Sequence, residues 1–195
     1  MQFKEASTFI MSKLRKGLPE YLSYHSITHI KDVYQAAEML ADAEGIKGED
    51  KKLLLTAALF HDSGFLIQQK DHERISCDIA SEFLPNYGYS TAQIKKICGM
   101  IMATKIPQTP HNLLEQIICD ADLDYLGRND FFKIGDTLYA EINIYSFMSE
   151  DQWNALQIDF MEKHHYFTAT AQKLRKEKKE QNLNLVRSKL EAPGK

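Results

Sequence analysis

The stretch KKLLLTAALFHD, residues 51–62, decides the fold. Wound at 3.6 residues per turn, Leu53, Leu54, Leu55, Ala57, Ala58, Leu59 and Phe60 cover almost the whole circumference of a helix. A helix apolar all round belongs in the middle of a structure rather than on its surface. It ends on two ionisable residues, His61 and Asp62, and Gly64 sits where such a helix stops. Ionisable groups at the end of the most buried helix need partners, because a charge taken out of water without one is costly.

Working outward, the periodicity predicts more helices. Phe3, Ile10, Met11 and Leu14 mark a first that ends near Gly17-Leu18-Pro19. Ile30, Val33, Ala37, Leu40 and Ala41 mark a second that stops around Gly45. Downstream, Ile75, Ile79 and Phe83 form one stripe between about Asp71 and Leu84. Ser90 and Gln93 have the form of a capping box, opening a helix with Ile94, Ile97, Ile101 and Met102 inward. The segment IPQTPHN, residues 106–112, breaks it. A further helix carries Leu114, Ile117, Ile118, Ala121 and Tyr125, and another begins near Asn129. Ser149 and Gln152 repeat the capping pattern before a last helix expected to run to Leu190. No segment alternates as a strand does; Ile142-Asn143-Ile144-Tyr145 is short and isolated. The expected class is all-α, with disorder expected for Ala192–Lys195.

The chain of 195 residues suits one domain, and 44% hydrophobic with 26% charged residues is ordinary for a globular protein. A net charge of −3 speaks against a general nucleic-acid coat. Between Lys173 and Lys189, seven Lys/Arg face two Glu, a local excess of five positive charges that reads as a solvated helix face or a basic contact surface. Cys77, Cys98 and Cys119 form no metal-like cluster and suggest free thiols in a reducing compartment. The N-terminal MQFKEASTFIMSKLRK interleaves charges with apolar residues, unlike a secretion signal, and no run approaches ~18 apolar residues. A cytoplasmic protein without a membrane span is expected.

Four residues carry the chemistry: His29, His61, Asp62 and Asp122. Two imidazoles and two carboxylates suit one divalent ion of the Mn, Fe, Co, Ni, Zn or Mg type. His29 shares a stripe with Val33, Ala36 and Leu40; Asp122 lies one turn past Ile118. Singly, His29 reads as a hydrogen-bonded core residue and Asp122 as a cap or ion-pair partner. Their convergence with His61-Asp62 is what points to a metal.

The pattern Tyr24-His25-x-x-x-His29-x-x-x-Val33, then Leu59-Phe60-His61-Asp62-x-Gly64, then Cys119-Asp120-Ala121-Asp122-Leu123-Asp124, resembles the HD superfamily of metal-dependent phosphohydrolases, from about Tyr24 to Gly127. The resemblance implies a helical HD-type core over residues 24–172, with an N-terminal helix (1–23) packed on it and a basic C-terminal helix and tail (173–195). It implies His29, His61, Asp62 and Asp122 as metal ligands, and cleavage of a phosphoester or phosphoanhydride bond of a nucleotide or similar small phosphorylated substrate. Asp120 and Asp124 are turned ~200° from Asp122 on a helix and are read as supporting or solvated groups. Two-metal members of the superfamily supply further histidines. Here Thr104 stands near where one would be sought, and His72 and His111 lack the matching context, so one metal is expected.

In the chemistry so implied, Asp62 holds the ion and orients water. Glu73 is the expected water-orienting carboxylate, its other reading being a charge that favours a helix N-terminus. His25, taken as one turn before His29, and Lys105 are expected to hold substrate phosphate, with Arg74 and Arg128 behind them. The His164-His165 pair is expected on the last helix, half buried. The alternative is a non-catalytic metal- and nucleotide-binding sensory module that signals through Leu183, Val186 and Leu190 of the C-terminal helix. Oligomeric state is open.

Overall fold

A computed structural model describes residues 1–191 and holds nine α-helices and no strand among them. They are α1 (Phe3–Gly17), α2 (Ile27–Ala43), α3 (Gly48–Phe60), α4 (His72–Phe83), α5 (Thr91–Ala103), α6 (Leu113–Asp122), α7 (Phe131–Ser146), α8 (Glu150–Lys163) and α9 (Ala169–Glu191). Single 3-10 turns span Ser63–Leu66, Leu84–Tyr87 and Asp124–Gly127. The segment expected to be disordered, Ala192–Lys195, lies outside the described residues.

Leu53 through Phe60 of α3 are all buried, and α1, α2, α5 and α6 pack around that helix. Helix α1 contributes Ala6, Ile10 and Leu14 to the shared core, so the N-terminal segment is part of the globule. Both capping boxes read from the sequence form. Ser90 Oγ accepts from Gln93 N–H at 3.3 Å and Ser149 Oγ from Gln152 N–H at 3.2 Å, each reciprocated by the glutamine side chain. A second apolar cluster, Tyr24, Leu123, Tyr125, Leu126, Phe131, Met161, Leu183 and Val186, joins α7, α8 and α9 to the turn after α6. No described helix is long and apolar enough to cross a membrane.

The C-terminal region departs from expectation. The single last helix is two, α8 and α9, because Asp120 of α6 captures the chain between them. Its carboxylate accepts from Phe167 N–H at 2.7 Å, Thr168 N–H at 2.8 Å and Thr168 Oγ–H at 2.7 Å. Thr168 Oγ in turn accepts from Ala171 N–H at 3.1 Å, capping the N-terminus of α9. His164 and His165 therefore lie in the break and not on a helix. His164 Nδ1 faces Lys179 Nζ at 3.3 Å; burial and that ammonium push the His164 pKa down to about 3.

The boundary drawn after residue 172 falls inside α9. Leu183 and Val186, read as a seam for a partner, are buried in the protein's own second cluster, so they do not form an external seam. Tyr125 lies beyond α6, in the turn Asp124–Gly127. Asp124 is not solvated: Arg175 Nε donates to it at 2.7 Å and Arg128 Nη1 at 3.4 Å, tying α9 to this turn.

Gly127 is where α9 crosses closest. A β-carbon there would stand 2.5 Å from both Arg175 Cβ and Arg175 O. Backbone cannot yield as a flexible side chain does, so Gly127→Ala should cost about 1–3 kcal/mol. Thermal unfolding by circular dichroism should show Tm lowered by several degrees; an unchanged Tm would contradict this account of the α9 crossing.

Candidate active site

Three helix ends bring the four expected ligands together. His29 lies in the first turn of α2, His61 caps the C-terminus of α3, Asp62 follows it, and Asp122 ends α6. His29 Nε2 stands 3.4 Å from His61 Nε2, 3.4 Å from Asp62 Oδ2 and 3.2 Å from Asp122 Oδ1. His61 Nε2 stands 3.2 Å from Asp62 Oδ2 and 3.5 Å from Asp122 Oδ1. Donors set tetrahedrally about 2.1 Å from an ion are roughly 3.4 Å apart, so the His29, His61 and Asp122 donors are spaced to share a divalent cation, with Asp62 Oδ2 beside both imidazoles.

Two local details prepare the donors. His61 Nδ1 lies 2.8 Å from the Ala58 carbonyl, which only accepts, so Nδ1 carries hydrogen and Nε2 is left for an ion. Asp62 Oδ2 is buried without a hydrogen-bond partner. A buried oxygen with no hydrogen-bond donor suits a cation as its partner. His29, Asp62 and Asp122 also line a cavity of about 290 Å³, so the position between them opens onto it.

Burial works against charge on these groups, yet their mutual attraction prevails. It holds the His61 pKa well above the ordinary 6.5 and Asp62 well below 3.8, and sets Asp122 at about 2.

The structure adds a residue that the sequence reading set aside. His72, at the start of α4, lines the cavity, with Nε2 3.4 Å from Asp62 Oδ1 and 3.6 Å from Glu73 Oε1. It was passed over because its motif context did not match. The signal lies in Gly64, where a β-carbon would meet the His72 carbonyl oxygen at 2.1 Å. Only a glycine allows α4 to begin against the turn after His61-Asp62, and Gly64 N–H donates to Ser76 Oγ of α4 at 2.8 Å. Glu73 is 7% exposed and lines the same cavity.

His25 also lines the cavity, but it precedes α2 and is not one helical turn before His29. Its Nδ1 lies 2.5 Å from Glu141 Oε1 of α7, and its ring stacks on Phe65, which also contacts His72. The other expected phosphate contacts lie elsewhere. Lys105 Nζ donates to Asp71 at 3.0 Å, and Arg74 to Asp78 at 2.9 Å, both on exposed surface outside the cavity wall. Arg128 is engaged by Asp32, Asp124 and Asp130. Asp120 is spent on the α9 junction.

Residues 26–124, about half of the chain, match the HD domain family, and the stretch includes all four candidate ligands. The chain belongs to that family. An uncharacterized protein of Clostridium beijerinckii is 33% identical over 76 residues, covering 37% of this chain and 48% of that one. The chain thus spans about half the length of that curated relative. A solved structure, described as a predicted HD superfamily hydrolase from an uncultured Thermotogales bacterium, superposes with a TM-score of 0.64 at 21% identity, covering 94% of this chain and 90% of that one. That likeness extends the shared fold over nearly all of the described helices.

The pKa directions have a measurable consequence. His61, raised above 6.5, stabilises the metal-free protein fully below that value and loses its contribution as pH rises through its folded value. Asp62 and Asp122, lowered, stabilise it above 3.8 and lose that as pH falls. The metal-free cluster is therefore most stabilising between about pH 4 and 6.5. A cation must displace the His61 proton, so the gain in Tm on adding Mn²⁺ after chelator treatment should grow from pH 6 to pH 8. A gain independent of pH, or none, would contradict the assignment.

Proposed function

We propose that this protein is a metal-dependent phosphohydrolase acting on a small phosphorylated substrate, the class that includes mononucleotides. The observation that carries the reading is the meeting of His29, His61 and Asp122 at a spacing that suits one divalent ion, with Asp62 beside both imidazoles and a ligand-sized cavity adjoining them. A divalent ion there would acidify water and polarise a phosphoryl oxygen. Asp62 reaches both ways: Oδ2 faces the imidazoles while Oδ1 lies 3.4 Å from His72. In this reading Glu73 orients the attacking water and takes its proton, and His72 passes a proton to the leaving oxygen. The Phe65 ring packs against both His25 and His72 and helps keep the imidazoles in place. Free Cys77, Cys98 and Cys119 agree with a cytoplasmic enzyme.

The sensory alternative loses its main support, because Leu183 and Val186 are occupied within the molecule. The test is hydrolysis of a phosphoester and nucleotide panel with Mn²⁺, Co²⁺, Ni²⁺ and Mg²⁺. Asp62→Ala should abolish turnover. Glu73→Gln should lower kcat about 10²–10³-fold while metal content, measured by elemental analysis, stays at the wild-type level. Ligand binding with no turnover under any of the four metals would overturn the proposal.

A further inference from the structure

We infer that the substrate carries a single phosphoryl group on an apolar, ring-sized leaving group; this rests on the hydrolase reading above and narrows it. The wall facing the candidate metal ligands is built by Leu138 and Ile142 of α7 and Trp153, Leu156, Phe160 and Met161 of α8. Its one amide there, Gln157, is neutral and 8% exposed. Among the described residues lining the cavity there is no lysine and no arginine.

Charge separates the substrate classes. A divalent ion is offset by Asp62 and Asp122, and Glu73 adds a further carboxylate to the wall. A nucleoside triphosphate, with about four negative charges, would enter such a site with no guanidinium or ammonium to meet them, and desolvating unpaired charge is expensive. Polyphosphate sites supply arginine or lysine for those oxygens. Here Lys105 and Arg74 point to surface aspartates and Arg128 is held by three carboxylates.

Size agrees with charge. An apolar cavity of ~150 Å³ holds one benzene. The present cavity, about 290 Å³, has room for a phosphoryl group and one ring system. Its aromatic and aliphatic wall rewards an apolar group and offers little to a ribose. In the reaction, water oxygen bonds to phosphorus, the bond from phosphorus to the ester oxygen breaks, and that oxygen takes a proton. The products are inorganic phosphate and the apolar alcohol or phenol.

Trp153 is the only tryptophan in the chain and lines this wall, so its emission reports occupancy directly. The experiment titrates phenylphosphonate, methylphosphonate and ATP against Trp153 fluorescence, with chelator and with Mn²⁺, and in parallel measures kcat/KM for 1-naphthyl phosphate and ATP. Phenylphosphonate should bind at least about tenfold more tightly than methylphosphonate, which has the same charge and no ring. The naphthyl ester should exceed ATP in kcat/KM by about a hundredfold. Leu156→Ala, at a position 44% exposed and tolerant of truncation, should narrow the preference for phenylphosphonate over methylphosphonate. ATP binding more tightly than phenylphosphonate, or being cleaved with the higher kcat/KM, would overturn the inference and leave the hydrolase reading standing. A ring preference in binding with no turnover of any phosphoester would support the pocket's ligand class and sink the hydrolase reading instead.

Discussion

Two imidazoles each stand within 3.5 Å of the other and of two carboxylates, and the rest of the structure answers to that constraint. Burying even one unpaired ionised group costs several kcal/mol. Four are tolerable because opposite charges face each other, and a divalent ion among them would replace a proton by a stronger and better-shaped charge. The arrangement is fixed by ends rather than by faces. His61 closes α3, Asp122 closes α6, and His29 opens α2, so three helix termini meet at one point. Two of those termini are C-terminal, where the helix dipole favours a cation by roughly 0.3–1 kcal/mol each.

The helices beyond the core have a different task. Helices α7 and α8 roof the cavity, and α9 is drawn onto them through Asp120, Asp124 and the close passage at Gly127. Asp120 and Asp124 flank a candidate metal ligand on both sides yet face away from it. One sets the start of α9 and the other binds Arg175. Three alternate aspartates on five residues thus divide between a cation site and the attachment of the C-terminal helix. The placement of the roof also determines the character of the pocket: charged at one end and apolar over the other.

Much of this could be read from residues 51–62 and what flanks them. An all-round apolar helix has one home, the centre, and the ionisable pair at its end then demanded partners that His29 and Asp122 were spaced to supply. Both capping boxes were visible because their chemistry is local. What stayed hidden was non-local. The break between α8 and α9 depends on Asp120, forty-odd residues earlier, and nothing in His164–Thr168 announces it. His72 enters the site because Gly64 lets two backbones touch, a contact with no periodic signature. Lys105 and Arg74 looked available as phosphate ligands since a sequence does not show which carboxylate a cation will meet first. The apolar roof was beyond reach for the same reason, as Leu138 and Leu156 read like any other core positions.

X-ray absorption at the metal edge of the cobalt-loaded protein tests the central claim most directly. One ion per chain, with two imidazole nitrogens and carboxylate oxygens at about 2.0–2.2 Å, is the expected spectrum, losing one nitrogen in His29→Ala. A shell of solvent oxygens without imidazole, unchanged in that variant, would contradict it.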